Sequence, residues 1–151
     1  MLFKDIWVEN MINRYLLLTV FDPRQGPTLH QSIPKGIDQR VVNTLKDVFE
    51  MSGPGYFYYA SVHEPSFNSF NHYFEVYAPE MKGETMTMML TLVMFDKKEP
   101  KNFRTLMRDC VLRIKEEPNI HKAVFDPLDH RLTEILEAVA RRLGIQRHVV
   151  A

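Results

Sequence analysis

One cysteine, Cys110, stands in 151 residues, so no intramolecular disulfide can form, and the composition suits a reducing, cytoplasmic setting better than a secreted scaffold. Charge of one sign is also missing. Nineteen Lys and Arg balance nineteen Asp and Glu, which removes the net positive field of a general nucleic-acid or anionic-membrane binder and leaves only local patches. No apolar run approaches the ~20 residues that cross a bilayer. The longest, Tyr15 to Phe21 and Met86 to Phe95, have the length of core strands. The opening Met1 to Asn13 is broken by Lys4, Asp5, Glu9 and Asn10 and lacks the hydrophobic centre of a signal peptide. Repeats, low-complexity tracts and long linkers are absent as well.

What is present is an ordinary globular composition, 45% hydrophobic and 25% charged, in a chain long enough to enclose one core. One domain is expected, with residues 1–12 as an N-terminal extension, 13–144 as the core and 145–151 as a tail. Leu2, Phe3, Ile6, Trp7, Met11 and Ile12 recur at helical intervals and predict a short helix. Tyr15 to Phe21 and Thr28 to Ile33 read as strands joined by the turn-forming Asp22-Pro23-Arg24-Gln25-Gly26-Pro27. From Ile37, the stripe Val41, Leu45, Val48 and Phe49 predicts a helix that stops at Ser52-Gly53-Pro54-Gly55. Three further strands follow at Tyr56 to His63, Phe70 to Tyr77 and Thr85 to Phe95. Two amphipathic helices close the chain. The first opens near Pro100 with Phe103, Leu106, Met107, Cys110, Val111 and Ile114 on one stripe. The second is expected to take Asp126 as N-cap and Pro127 as its first residue, with Leu128, Leu132, Ile135, Leu136, Val139 and Leu143 inward.

The element order is therefore ββαβββαα. Strands apolar on both faces need cover on both sides, so the middle helix belongs on one face of a five-stranded antiparallel sheet and the C-terminal pair on the other, an α+β sandwich. With this order, the opening Leu16-Leu17-Leu18-Thr19-Val20-Phe21-Asp22-Pro23-Arg24-Gln25-Gly26-Pro27 and the following Ser32-Ile33-Pro34, the chain resembles the longin domain family over roughly Asn13 to Leu143. The resemblance implies a protein-interaction module that scaffolds or regulates a small GTPase or a trafficking-type complex, as a homo- or hetero-dimer. Roadblock domains share the shape, and a roadblock-like dimeric scaffold is one alternative. A small-ligand sensor with a pocket between sheet and helix is another.

Catalytic constellations fare poorly in the sequence. Gly26 stands alone without the glycines or lysine of a phosphate cradle. His72 and Glu75 sit at an odd spacing on a strand and point to opposite faces. His130 and Glu134 share a helix face, but no second pair completes a metal site. Cys110 lies within an apolar stripe, where a thiol is filler rather than nucleophile. Ser61, Ser66 and Ser69 lack a nucleophile elbow. No enzyme activity, cofactor or metal is expected.

Aromatic density is the unusual feature. Tyr56, Phe57, Tyr58 and Tyr59 precede Phe67, Phe70, Tyr73, Phe74 and Tyr77. Tyrosine joins an apolar ring to a hydroxyl that stays wet, which suits a surface that is alternately free and covered. Tyr56 to Tyr77 contains no Lys or Arg, so a nucleic-acid stacking platform is not expected. The expected interaction surface combines the outer side of the middle helix, Arg40, Asn43, Lys46, Asp47 and Glu50, with Tyr56 and Tyr58 as the floor of an adjacent groove.

Overall fold

A computed structural model describes residues 13–81 and 83–145; the helix expected at residues 2–12 lies outside them. Strand β1 (Arg14–Asp22) turns into β2 (Gly26–Ile33) through the predicted turn. Asp22 organises that turn, its carboxylate accepting from the Arg24 N–H at 2.8 Å. Gly26 supplies the positive φ, 77°, that returns the chain into β2. Helix α1 (Gln39–Glu50) starts where Asp38 caps it, accepting from the Arg40 N–H at 2.8 Å. Strands β3 (Gly55–Ser61), β4 (Phe67–Tyr77) and β5 (Thr85–Met94) follow. The chain then forms α2 (Phe103–Glu116), the single-turn α3 (Ile120–Ala123) and α4 (Arg131–Arg142).

All neighbouring strands are antiparallel, in the order β2-β1-β5-β4-β3. The connection from β2 to β3 must cross from one edge of the sheet to the other, and α1 makes that crossing over one face. The α2 and α4 helices cover the other face, as the two-sided hydrophobicity of β1 and β5 requires. Beneath α1 lie Tyr15, Leu17, Met89 and Val93, joined by Val41, Leu45 and Phe49 of the helix. Beneath α2 and α4 lie Leu16, Leu18, Met88, Leu90 and Leu92, joined by Leu106, Met107, Cys110, Ile135 and Leu136. Each such buried aliphatic side chain contributes about 1.5–3 kcal/mol relative to exposure.

The start of the last helix differs from expectation. Asp126 accepts from the Leu128 N–H at 2.9 Å and so closes a turn, not a cap. Asp129 repeats the device with the Arg131 N–H at 3.1 Å, and the helix begins only there. Leu128 is consequently 83% exposed and leaves the inward stripe. Two local Asx bonds in succession hold the backbone out of helix until the second is complete.

The core beneath α1 also contains a polar chain. Thr91 donates to the Asn71 side-chain oxygen at 2.7 Å, Asn71 donates to Ser69 at 3.0 Å, and Ser69 donates to the Tyr59 carbonyl at 3.1 Å. All three side chains are buried and each finds a partner, so the chain carries little desolvation penalty and fixes which residues of β3, β4 and β5 lie opposite one another.

Candidate functional site

The five strands bring their side chains into rows across the sheet, and the rows decide which face each tyrosine serves. Tyr58 pairs with Phe70, Phe70 with Leu92 and Leu92 with Leu16, so Tyr58 stands on the face of α2 and α4. Tyr59 pairs with Ser69, Ser69 with Val93 and Val93 with Tyr15, a row beneath α1. The groove expected between α1 and Tyr56 and Tyr58 therefore does not exist. Phe57 and Tyr59 pack toward α1, whereas Tyr56 and Tyr58 point to the opposite side. Arg40, Asn43, Asp47 and Glu50 do face solvent on α1, with Lys46 half-buried. Their side-chain hydrogen bonds there are local. Arg40 is held by Asp38 at 2.6 Å, and Asn43 accepts from Gln39 at 3.0 Å.

A groove is found on the other face. Helix α2 packs over β4 and stops short of the edge strand, leaving Tyr56 and Tyr58 each 48% exposed. Between β3 and α2 runs a depression of about 360 Å³, floored by Tyr56, Tyr58 and Phe70 and walled by Arg104, Thr105 and Arg108. Its aromatics form one cluster. Tyr58 meets Phe70 edge-on with centroids 5.0 Å apart, and Phe70 meets Phe103 edge-on at 5.2 Å. Tyr56 stacks on Phe70 at 5.8 Å and lies 3.9 Å from the His72 ring. Edge-to-face contacts of this kind each add ~0.5–1.5 kcal/mol beyond burial, so the floor is rigid although its rim is wet.

Arg104 completes the wall. Its guanidinium donates to the Tyr58 hydroxyl and sits over the aromatic rings, 5.3 Å from the Tyr58 centroid and 5.7 Å from that of Phe103. It makes no ion pair among the described residues. Arg108, one turn on, has only its neighbour Asp109 at 3.7 Å among the described residues. Lys115, two turns beyond Arg108, acts electrostatically on His72. Four- and seven-residue spacings place Arg104, Arg108 and Lys115 on one flank of α2, a basic row beside an aromatic floor. The neutral balance of the whole chain conceals this patch.

Other candidate groups are structural or isolated. Burial pushes the Cys110 thiol up to about 12, so it stays protonated. Burial lowers the His72 pKa to about 4, with Lys115 adding to the shift, so the imidazole packed against Tyr56 is neutral. No group of three or more His, Cys, Asp or Glu among the described residues is arranged to hold a metal ion. No helix among them is long and apolar enough to cross a membrane.

No protein-family model matches the chain, and no curated protein or solved structure is significantly similar to it. The groove must therefore be understood from its own chemistry. Half-exposed tyrosine rings, exposed arginines and a neighbouring strand edge offer binding contacts.

Proposed function

We propose that the protein is a non-enzymatic interaction module that seats a protein partner in the groove between β3 and α2. The observation that carries this reading is the half-exposure of Tyr56 and Tyr58 on a rigid aromatic floor beside Arg104 and Arg108. Tyr and Arg are the residue types that most often anchor protein interfaces, because each joins a large contact area to a directed polar group. The longin-like order of elements gives the reading its biological setting, a scaffold or regulator of a small GTPase or trafficking-type complex in the cytoplasm.

The groove volume of about 360 Å³ falls within the small-ligand range and favours a sensor as the second reading. Ligand pockets, however, enclose most of their guest. Here the outer side of β3 has no neighbouring strand among the described residues, and the groove opens along its length.

Affinity capture with the wild-type chain and with Tyr58→Ala tests the proposal. A GTPase or coat-like subunit retained by the first and lost from the second supports it. A small molecule that co-purifies with the wild type and is lost from Tyr58→Ala supports the sensor. A partner held equally by both proteins contradicts the assignment of the groove.

A further inference from the structure

The two edges of the sheet are built differently. Strand β2 opens with Gly26-Pro27, has no exposed residue along its length, packs against both α1 and α4, and is tied to α4 by a hydrogen bond from Gln31 to the Thr133 hydroxyl. Such cover and an early proline are the usual protection of an edge. Strand β3, Gly55-Tyr-Phe-Tyr-Tyr-Ala-Ser, contains no proline and no charge, and every second residue from Tyr56 to Ala60 is exposed. Along its outer side, alternate backbone N–H and C=O groups point away from β4 and have no partner strand among the described residues.

We infer that β3 accepts an extended acidic segment of a different protein as a sixth strand, with alternate carboxylates set against Arg104 and Arg108. This rests on the docking role proposed for the groove and names the chemistry of its occupant. Helix α2 advances along the groove from Tyr58, where Arg104 lies, toward His72, on which Lys115 acts electrostatically and which pairs with Tyr56 on β3. Arg104 and Arg108 are separated by ~6 Å of helix rise. Side chains on one face of an added strand recur every ~6.8 Å. Acidic residues at every second position therefore meet successive arginines, while the intervening side chains turn to the face of α1. Lys115 extends the same positive potential along the groove.

The charge row decides against two other occupants. A second copy pairing through β3 about a two-fold axis would set both copies' Arg104 and Arg108 on the same face across the new strand pair, where like charges repel. A nucleic-acid strand would need open ring faces for its bases, but Arg104 already covers Tyr58, and Tyr56 is packed against His72 and Phe70.

A short peptide alternating glutamate with valine, its lysine counterpart and oligothymidylate serve as probes of the full-length chain by fluorescence anisotropy. The glutamate peptide binds at least tenfold more tightly than the lysine peptide at low salt, roughly the effect of one well-placed charge pair, and loses affinity as salt is added. Arg104→Glu with Arg108→Glu reverses the preference, and backbone amides of β3 become protected from hydrogen exchange when the glutamate peptide binds. Equal binding of the two peptides, displacement of the glutamate peptide by oligothymidylate, or a dimer of the chain that dissociates on Tyr58→Ala overturns the inference. Partner capture separates this failure from that of the docking role. Loss on Tyr58→Ala but not on the double arginine variant leaves the groove in place and removes the acidic strand, whereas loss on neither removes both.

Discussion

The Arg104 guanidinium both donates a hydrogen bond to the Tyr58 hydroxyl and lies 5.3 Å from the centroid of the Tyr58 ring. One cation thus holds one exposed tyrosine from its polar end and its π face. An exposed cation–π contact is worth only ~0.5–1 kcal/mol, too little to matter greatly for folding. It biases both side chains toward one arrangement before a partner arrives, by roughly two- to fivefold, which lowers the entropy lost on binding.

Tyr58 and its row neighbour Phe70 should consequently separate binding from stability. Tyr58→Ala weakens partner association by ~2 kcal/mol or more while lowering folding stability by only ~1–2 kcal/mol, because half of the ring is already in water. Phe70→Ala, in contrast, removes a side chain only 3% exposed and costs ~3–5 kcal/mol of folding stability. Thermal melts and binding titrations on the two variants check both statements. A large fall in melting temperature for Tyr58→Ala would make that tyrosine a core residue.

Cys110 is fully buried on the inner face of α2, and its thiol titrates far above neutrality. Thiol reagents should leave it unlabelled in the folded protein at pH 8. Cys110→Ser should lower stability by ~1–3 kcal/mol, the cost of a hydroxyl with no partner in an apolar setting, without altering partner binding. Rapid labelling under native conditions would contradict the burial.

His72 makes stability depend on acid. Its folded pKa is about 4, against about 6.5 for an unperturbed histidine, chiefly through burial and secondarily through Lys115. The unfolded chain therefore binds the extra proton first as pH falls. The stabilisation is present above pH 6.5 and is lost progressively as pH drops from 6.5 through 4. Solvent screening of this half-buried ring limits the effect to about 1 kcal/mol. Denaturant melts between pH 7 and 4 should show the loss, and His72→Phe should flatten that part of the profile. An unchanged profile in the variant would assign the acid sensitivity elsewhere.

Much of this architecture was legible in the residues. Apolar positions on both faces of Tyr15 to Phe21 and Met86 to Phe95 demanded cover on both sides, and the sheet has it. The stripe from Val41 to Phe49 placed α1, and Asp22 to Pro27 placed the first turn. The side of the sheet on which Tyr56 and Tyr58 stand was not legible. Tyr56, Phe57, Tyr58 and Tyr59 are all aromatic, so alternation carries no information there, and the facing is set by pairing with Phe70 and Ser69 of β4. The basic row on α2 was missed: its four- and seven-residue spacings were the only signal, and nothing local ties Arg104 to a tyrosine 46 positions earlier. Asp126-Pro127 imitates a helix start because a capping aspartate and an Asx-turn aspartate use the same acceptor at the same range.

The most direct test of the docking surface is site-specific photocrosslinking from two exposed positions, Thr105 on the wall of the groove and Asn43 on the outer side of α1. With a photoreactive residue at Thr105, the chain should crosslink its partner in the host cell, and the adduct should disappear when Tyr58→Ala is added; the same residue at Asn43 should give none. A partner adduct from Asn43 and none from Thr105 would contradict the groove between β3 and α2 and return the interaction to the outer side of α1.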